Sequence, residues 1–288
     1  MWLTLLACRD PEPTPSTDSD ADSDADSDAD TDADADSDTD ADTDTDTGPV
    51  WVPAPGTTWQ WQLTEVIDTS VDVEVYDIDL FEAPQGVIDG LHADGRTVIC
   101  YFSAGSFEDW RPDADAFPPE VIGEPLDDWP GEWWVDPRSP EVRAILEARL
   151  DLAVDKDCDA VEPDNVEAWA ANSGFDLTRA DQLDFNRFVA DAAHARGLSV
   201  GLKNVVELVD DLVGDFDWSL NEECLQYDEC RGLKPFLDKG AAVFHVEYVN
   251  RENQGEDAAA EVCGDPTIDG FSTLIKTWDL DAWRIACP

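Results

Sequence analysis

The sequence predicts an α/β fold, a (β/α)8 TIM barrel preceded by a disordered, Asp-rich tether. Three observations support this prediction: eight short runs rich in β-branched and aromatic residues, helical patterns between several of these runs, and an Asp at every second position from Asp18 to Asp46. Strands that alternate with helices pair in parallel through right-handed crossovers. Eight such units in about 240 residues match the size of this barrel. A doubly wound open sheet is the alternative, but the sequence lacks the glycine-rich phosphate loop of its commonest version.

A short leader, residues 1–8, begins the sequence. Its "LLAC", which ends at Cys8, looks like the lipobox of a bacterial lipoprotein. We expect a lipid at Cys8 to be the only membrane attachment, and the protein to be extracellular or anchored at the surface of a bacterial cell. A secretory signal needs a basic region and a longer apolar run, and neither precedes Cys8, so we expect the true start to lie upstream.

Residues 9–49 contain the Asp repeat, in which Ser, Ala or Thr separate the carboxylates. A charge at every second position and the lack of large apolar side chains prevent a core from forming. The ligand spacing and the glycine of an EF-hand loop are absent from the repeat. We therefore predict a disordered, solvated spacer rather than a calcium site.

Residues 50–288 are long enough for one large domain with a sizeable core. The leader and the repeat hold 17 acidic residues and one Arg, so residues 50–288 carry −35 of the chain's net charge of −51. Such a field repels nucleic acid and anionic lipid and attracts cationic ligands, although it also favours solubility. We expect a monomer that does not bind nucleic acid.

The predicted strands follow one another along this domain. In order they are TTWQWQL, DVEVYDIDL, TVICYFSAG, DAVEPDN, LSVGLKN, DWSLNEE, AVFHVEY and FSTLIKT. The clearest helices span residues 139–157 and 178–197. Each begins with a capping Ser or Thr and has apolar residues at helical spacing.

Six cysteines remain once Cys8 is set aside, and an even number suits disulfides in an oxidising compartment. We predict three bonds, which join Cys224 to Cys230, Cys263 to Cys287, and Cys100 to Cys158. The first pair encloses a short loop, the second would tie the last element to the barrel, and the third is the pair that remains. The spacings lack the paired CxxC clusters of a structural zinc site, and the chain has three His. We therefore predict neither a metal nor a cofactor.

Polar side chains gather at the predicted carboxyl ends of the strands, where a barrel of this kind places its active site. They are Gln62, Asp77, Asp79, Tyr101, Ser103, Glu162, Asp164, Lys203, Asn204, Asn221, Glu222, Glu247, Tyr248 and Lys276. Strand ends are often polar only because they reach the surface. Several carboxylates in one concave site, however, would push their pKa values apart and supply both an acid and a base.

Seven stretches within residues 57–287 resemble, in the same order, the glycoside hydrolase family 114 barrels, whose characterised activity is endo-α-1,4-polygalactosaminidase. The stretches are WQWQL, VYDIDLF, VICYFSAGSFEDWRPD, WWVDPRSPEVRAILEARLD, CDAVEPDNVEAW, NEECLQYDEC and GFSTLIKTWDLDAWR. The resemblance implies a secreted enzyme that cleaves partly cationic galactosamine polymers. It also implies that Asp164, in "EPDN", and Glu222, in "NEEC", are catalytic.

Glycoside cleavage needs one carboxylic acid to protonate the leaving oxygen and one carboxylate to attack the sugar or to activate water. Asp164 and Glu222 have suitable side chains at the ends of the fourth and sixth strands. For Glu162 and Glu247 we favour a supporting role, such as holding Lys203 or binding a sugar hydroxyl. The predicted substrate-binding residues are Asp77, Asp79, Tyr101, Glu162, Lys203, Asn204, Glu247 and Tyr248.

Ring stacking against sugars is expected at Trp61 or Trp110, and His245 is expected to fill the barrel interior. Two other functions stay open. One is a surface lipoprotein that binds polysaccharide without cutting it, and the other is a glycosidase for another linkage. Release of reducing ends from a galactosamine-containing polymer separates the first of these from the enzyme.

Overall fold

The structure, a computed structural model, describes residues 50–288. The predicted lipidation site at Cys8 and the whole of the predicted Asp-rich tether, residues 9–49, lie outside the described residues. Within residues 50–288, helices of the length and apolarity needed to cross a membrane are absent.

Nine strands form one curled sheet. Eight of them are parallel and lie side by side in chain order, at the eight runs that the sequence predicts. These strands are β1 (Trp59–Gln62), β2 (Val75–Asp79), β3 (Thr97–Ser103), β7 (Ala160–Asp164), β8 (Ser199–Lys203), β9 (Trp218–Glu222), β10 (Val243–Val249) and β11 (Ser272–Thr277). The ninth strand, β12 (Ile285–Ala286), pairs antiparallel with β11.

The two edges of the parallel sheet, β1 and β11, are bridged by the segment that follows β11. Its Leu280 carbonyl accepts a hydrogen bond from the backbone of Leu63 at 2.9 Å, and Arg284 donates to the carbonyl of Trp59. The indole of Trp59 also donates to the Ser272 carbonyl at 2.8 Å. The described strands therefore form a curled sheet whose backbone ladder is not closed between β1 and β11. The complete barrel stays a prediction.

A second, smaller sheet lies between β3 and the next helix. Its strands are β4 (Ser106–Glu108), β5 (Ile122–Pro125) and β6 (Glu132–Val135), arranged antiparallel in the order β4, β6, β5. This sheet is not predicted from the sequence. Its strands are only three or four residues long, which is too short for a clear periodic pattern.

Six α-helices lie among the crossovers. They are α1 (Gln85–Ala93), α2 (Pro140–Asp155), α3 (Arg179–His194), α4 (Val209–Leu212), α5 (Lys234–Asp238) and α6 (Gly255–Val262). The two long helices begin as predicted, because Ser139 accepts hydrogen bonds from the first turn of α2, and Thr178 forms a capping box with Asp181 at the start of α3. Residues 63–74, which connect β1 to β2, contain no helix in the structure.

The strands bury both of their faces. On β2, Tyr76 and Ile78 belong to the core between the sheet and the helices. Val75 belongs to a second core on the other face, where Trp61 and Phe244 pack. Side chains alternate across a strand, so Asp77 and Asp79 share the inner face with Val75. This alternation directs polar residues near the strand ends toward one site.

Three disulfides join the pairs that the sequence favours. Cys100 bonds to Cys158, Cys224 to Cys230, and Cys263 to Cys287. The first connects β3 to the residues before β7, the second closes the loop after β9, and the third holds the bridging segment against the end of α6.

Candidate active site

A cavity of ≈ 640 Å³ opens at the carboxyl ends of the parallel strands. Its walls carry ten carboxyl side chains and two basic ones, Arg111 and Lys203, and both basic side chains are already paired with carboxylates of the protein. The cavity is therefore strongly acidic. Among the predicted site residues, it is lined by Asp79, Tyr101, Asp164, Lys203, Asn204, Glu222 and Tyr248.

Four charged side chains form what we call the Lys203 cluster: Lys203, Glu162, Asp164 and Glu222. Lys203 lies at its centre, and the Lys203 Nζ atom is 2.8 Å from Glu162 Oε1, 3.1 Å from Asp164 Oδ1 and 3.3 Å from Glu222 Oε2. Burial opposes the charge of Lys203, but the three carboxylates outweigh burial and raise its pKa well above the ordinary value. Lys203 is therefore a permanent cation that offsets the repulsion between the carboxylates.

The predicted catalytic residues, Asp164 and Glu222, are the partly exposed members of the cluster, with 18% and 23% of their side chains accessible. Asp164 Oδ2 accepts a hydrogen bond from the hydroxyl of Tyr101 at 3.1 Å. Glu222 accepts one from the hydroxyl of Tyr248 and another, at 3.1 Å, from Asn204 Nδ2. Burial, followed by the charge of the neighbouring carboxylate, raises the pKa of both tyrosines well above the usual value. Both phenols therefore remain protonated donors.

Sharp turns follow the strands that carry these residues. Asn165, Asn204 and Glu223 each come directly after a member of the Lys203 cluster, and their φ angles are 60°, 49° and 59°. Few residues other than glycine adopt this left-handed conformation, although Asn tolerates it better than most. Strained backbone of this kind is found at functional sites. The turns carry the chain away from the sheet and leave the cluster open to the cavity.

Asp77 and Asp79, both predicted to bind substrate, lie in different surroundings. Asp79 lines the cavity, but its carboxylate is held by the guanidinium of Arg111, with N–O distances of 3.0 and 2.7 Å. Asp77 and Glu162 are fully buried behind the cavity. The structure thus places Asp77 and Glu162 beneath the site and not on its wall.

Glu247 also lies outside the cavity wall. Its Oε1 atom is 3.0 Å from His245 Nε2 and accepts a hydrogen bond from the backbone of Leu225 at 2.8 Å. Leu225 belongs to the loop that the Cys224–Cys230 disulfide closes. Glu247 therefore connects β10 to the loop after Glu222. His245 is buried beside it, packed on Phe271 of the outer core. Because side chains alternate along β10 and Phe244 and Val246 face the inner core, the expectation that His245 fills the barrel interior is wrong.

Seven of the ten carboxyl groups that line the cavity are not selected from the sequence, and two of them, Glu132 and Glu167, have strongly raised pKa values. Burial raises the pKa of Glu132, on β6, to about 7, and Glu132 Oε2 accepts a hydrogen bond from Ser106 Oγ at 2.9 Å. Burial and then the charge of Asp164 raise the pKa of Glu167 to about 8. Glu167 Oε2 is buried without a hydrogen-bond partner in the described residues. The position of Glu167, three residues after Asp164, is the one sequence signal that points to it.

Aromatic side chains surround the mouth of the cavity. The exposed ones are Trp110, Trp129, Tyr227 and Trp278. Trp278 stacks on Tyr248, with ring centroids 3.9 Å apart. Flat aromatic faces of this kind suit sugar rings. Of the two tryptophans predicted to stack on sugar, Trp110 is on this rim, whereas Trp61 is buried and donates its indole N–H to Glu162 at 3.1 Å.

Potential metal ligands converge once in the described part of the chain. They are Cys224, Cys230 and His245. The two sulfur atoms are joined in a disulfide, so they cannot act as thiolate ligands. This group does not form a metal site.

Comparisons with known proteins place the chain among carbohydrate-active enzymes. A profile of glycoside hydrolase family GH114 matches residues 40–288. The crystal structure of Ega3 from Aspergillus fumigatus in complex with galactosamine is similar, with 46% sequence identity, a TM-score of 0.78, and coverage of 82% of this chain and 97% of that chain.

Two more distant matches are a solved structure and an uncharacterised protein. The glycoside hydrolase domain of PelA from Pseudomonas aeruginosa shares the fold at 15% identity, with a TM-score of 0.66 and coverage of 80% of this chain and 98% of that chain. An uncharacterised protein of Deinococcus radiodurans is 27% identical over 189 residues, which are 58% of this chain and 61% of that protein. The chain thus spans about three-fifths of the length of that relative. Because the profile extends over all of the described residues, the chain belongs to glycoside hydrolase family GH114.

Proposed function

We propose that this protein is an endo-acting glycoside hydrolase that cleaves galactosamine-containing polysaccharide, with Asp164 and Glu222 as the reacting carboxyl groups. The observation that carries the proposal is the Lys203 cluster, which presents two partly exposed carboxylates to one acidic cavity. Similarity to galactosamine-bound Ega3 supports the substrate class. In this proposal the eight parallel strands act as a (β/α)8 barrel, and their arrangement in chain order supports that architecture.

The proposed reaction uses the two carboxyl groups in turn. One donates a proton to the glycosidic oxygen while the bond from that oxygen to the anomeric carbon breaks, and the other attacks the anomeric carbon. A water molecule, deprotonated by the first group, then releases the sugar from the second. The leaving group keeps the proton that the first carboxyl group donates, and that carboxyl group regains a proton from the water, whose hydroxyl stays on the anomeric carbon.

The geometry of the pair favours retention of configuration. Asp164 Oδ1 and Glu222 Oε2 lie 3.1 and 3.3 Å from the same nitrogen of Lys203, so these oxygens cannot be farther apart than the sum of the two distances. A retaining enzyme holds its two carboxyl groups about 5–5.5 Å apart, and an inverting enzyme holds them roughly 6.5–9.5 Å apart. Because the shared contact with Lys203 keeps the pair close, we propose that the first product keeps the configuration of the substrate.

A cationic substrate suits the cavity. The free amino groups of galactosamine are protonated at neutral pH, and they would meet an excess of acidic side chains, among them Glu82 and Asp279. The exposed rings of Trp110, Trp129 and Trp278 would stack on neighbouring sugars. Ammonium recognition and ring stacking along the mouth of the cavity would hold an internal section of a polymer.

The test is release of reducing ends by the purified protein from an α-1,4-linked galactosamine polymer. A fully N-acetylated polymer of the same linkage is the matched control, because it lacks the ammonium groups. We expect short oligomers as early products and a rate on the cationic polymer at least about tenfold higher. Binding without cleavage would contradict the enzyme and favour a polysaccharide-binding module, and faster cleavage of another linkage would overturn the substrate class.

We also propose that the chain is anchored at the bacterial surface through a lipid on Cys8. The "LLAC" sequence supports the anchor, and three disulfides suit an oxidising compartment. Labelling with a radioactive fatty acid and cell fractionation test it, with Cys8→Ser as the comparison. Equal membrane association of the two proteins would remove the anchor.

A further inference from the structure

Asp77 is an isolated carboxyl group inside the protein. It lies in the middle of β2, none of its surface is exposed, and it does not line the cavity. Neither of its carboxylate oxygens has a hydrogen-bond partner in the described residues. An ionised carboxylate buried without donors is strongly disfavoured. Asp77 therefore either destabilises the fold considerably or carries a proton.

A proton on Asp77 would give the group a partner. Asp77 on β2 and Glu162 on β7 are separated by β3 alone, and a proton on Asp77 lets it donate a hydrogen bond to the Glu162 carboxylate. Glu162 already accepts hydrogen bonds from Lys203 Nζ at 2.8 Å and from Trp61 Nε1 at 3.1 Å. With Asp77 as a third donor, Glu162 is held on all sides as a carboxylate. Burial and then the charge of Glu162 raise the pKa of Asp77 well above its usual value, which agrees with this arrangement.

We propose that Asp77 is a positioning residue, a neutral carboxylic acid whose hydrogen bond to Glu162 fixes the Glu162–Lys203 ion pair beneath Asp164 and Glu222. Asp77 then does not contact the substrate. It acts through Glu162 on Lys203, and Lys203 acts on the two reacting carboxyl groups. The chain of contacts runs from β2 through β7 to β8, and ends at the floor of the cavity.

The ionisation of Glu162 determines how strongly the ammonium group of Lys203 interacts with Asp164 and Glu222. The titratable groups that face the Asp77–Glu162 pair are Lys203, Asp164, Tyr101 and Tyr248, and Glu222 lies beyond Lys203. When Glu162 takes up a proton, Lys203 loses its most buried partner, and its ammonium is left to Asp164 and Glu222. A cation held more tightly by these two groups makes them weaker bases and nucleophiles. Activity should therefore fall as Glu162 becomes protonated.

The pKa of Glu162 is about 7, because burial raises it while Lys203 and the hydrogen bond from Asp77 lower it. Loss of the Asp77 donor should raise this pKa further. Asn at position 77 keeps a donor and the shape of the side chain, whereas Leu removes the donor at similar size. Both substitutions remove any charge from position 77, but only Asp77→Leu also removes the donor. A difference between the two variants therefore reports the effect of the hydrogen bond and not of the charge.

The first experiment is infrared difference spectroscopy of the full chain at neutral pH, and it does not depend on catalysis. We expect a carbonyl band of a protonated carboxylic acid in the wild-type protein that is lost in Asp77→Asn. Asp94→Asn, at an exposed site after α1, is the control and should leave the band unchanged. A spectrum in which Asp77→Asn removes carboxylate bands instead would show that Asp77 is ionised and would overturn the proposal.

The second experiment, which rests on the proposed hydrolase function, measures kcat/KM against pH. Asp77→Asn should retain the acid limb of the wild-type profile. Asp77→Leu should move that limb to higher pH by about one unit, so that kcat/KM on the acid side is about tenfold lower than that of the wild type at the same pH. A lower melting temperature of Asp77→Leu with an unmoved acid limb would mean a merely structural role and would contradict the proposal. An equal shift in Asp77→Asn would contradict it as well. Asp77→Ala, which also lacks a donor, replaces the Leu variant if that variant does not fold.

Discussion

Gly105 lies directly against the carbonyl group of Asn165, and a Cβ atom at Gly105 would come within 1.7 Å of the Asn165 oxygen. The backbone N–H of Gly105 also donates to the carbonyl of Asp164 at 3.1 Å. Gly105 follows β3, and Asn165 begins the left-handed turn after β7. The backbone that presents Asp164 is therefore held against the end of β3 by an approach that only glycine permits.

Gly105→Ala should consequently displace the turn that carries Asp164. We expect a stability loss of about 1–3 kcal/mol, as for other overpacked sites, and a fall in kcat that exceeds the change in KM. The control is Gly90→Ala in α1, where a Cβ atom meets nothing within 4 Å and Ala should add about 0.5–1 kcal/mol as the better helix former. Denaturant unfolding and steady-state kinetics check both, and equal behaviour of the two variants would contradict the contact.

The parallel strands were predictable because each depends on a local signal. β-Branched and aromatic runs mark them, and the polar residue that ends a strand is visible in the sequence, as in "VEPD" before Asn165 and "LNE" before Glu223. The parallel alignment of the eight strands is enough to bring their carboxyl ends together on one face. The meeting of Asp164, Lys203 and Glu222 follows from that alignment.

Other features of the site depend on contacts that leave no periodic signal. The sheet of β4 to β6 brings Glu132 into the cavity through pairings between very short strands. The segment around Leu280 bridges β1 and β11 through single hydrogen bonds from distant residues. The difference between Asp77 and Asp79 is also invisible in "VYDID", because it depends on how deep each residue lies and on Arg111, 32 positions beyond Asp79 in the chain.

Glu167 should reduce the stability of the fold above neutral pH. Its pKa is about 8 in the folded protein against an ordinary value of 4.5, so the folded state binds more protons than the unfolded state between these values. Stability therefore falls as pH rises through this range. Glu167→Gln removes the titration, and its melting temperature should exceed that of the wild type near pH 8 while the two agree below about pH 4.5. A difference that is constant across pH would contradict this interpretation.

Glu132 should contribute to the affinity for cationic sugar. Its carboxyl has a pKa of about 7 because of burial, so it is ionised above that pH and neutral below it. Glu132→Gln should weaken binding of a galactosamine oligomer about tenfold above pH 7 and have little effect near pH 5. Calorimetry with a Glu222→Gln background avoids cleavage during the measurement. The N-acetylated oligomer is the control ligand, and an equal loss for both ligands would contradict ammonium recognition.

The Cys224–Cys230 disulfide should matter more for activity than for stability. It closes a loop of sequence separation 6, whereas Cys100–Cys158 spans 58. Chain entropy assigns about 2 kcal/mol to the short loop and about 4 kcal/mol to the long one. The short loop carries Tyr227 into the cavity wall, so a Cys224→Ser, Cys230→Ser variant should raise KM several-fold with a small loss of stability. The matched Cys100→Ser, Cys158→Ser variant should lose more stability and change KM less. Denaturant unfolding and steady-state kinetics measure the two effects.

The reacting carboxyl groups provide the most direct test of the site. Asp164→Asn and Glu222→Gln keep the shape of each side chain and remove an ionisable group, so each should slow hydrolysis by at least about 100-fold. Asp151→Asn on the exposed face of α2 is the control, since it removes a carboxylate that only contacts Arg196. Thermal unfolding should show that all three variants fold.

A change of leaving group then separates the roles of the two carboxyl groups. A substrate whose leaving group needs no protonation should restore the first chemical step in the variant that lacks the acid, because proton donation no longer limits that step. The variant that lacks the nucleophile should stay slow with the same substrate and recover with azide, which takes the place of the missing carboxylate. Near-wild-type turnover by both Asp164→Asn and Glu222→Gln would overturn the assignment. Glu167, which also lines the cavity, would then be the next carboxyl group to test.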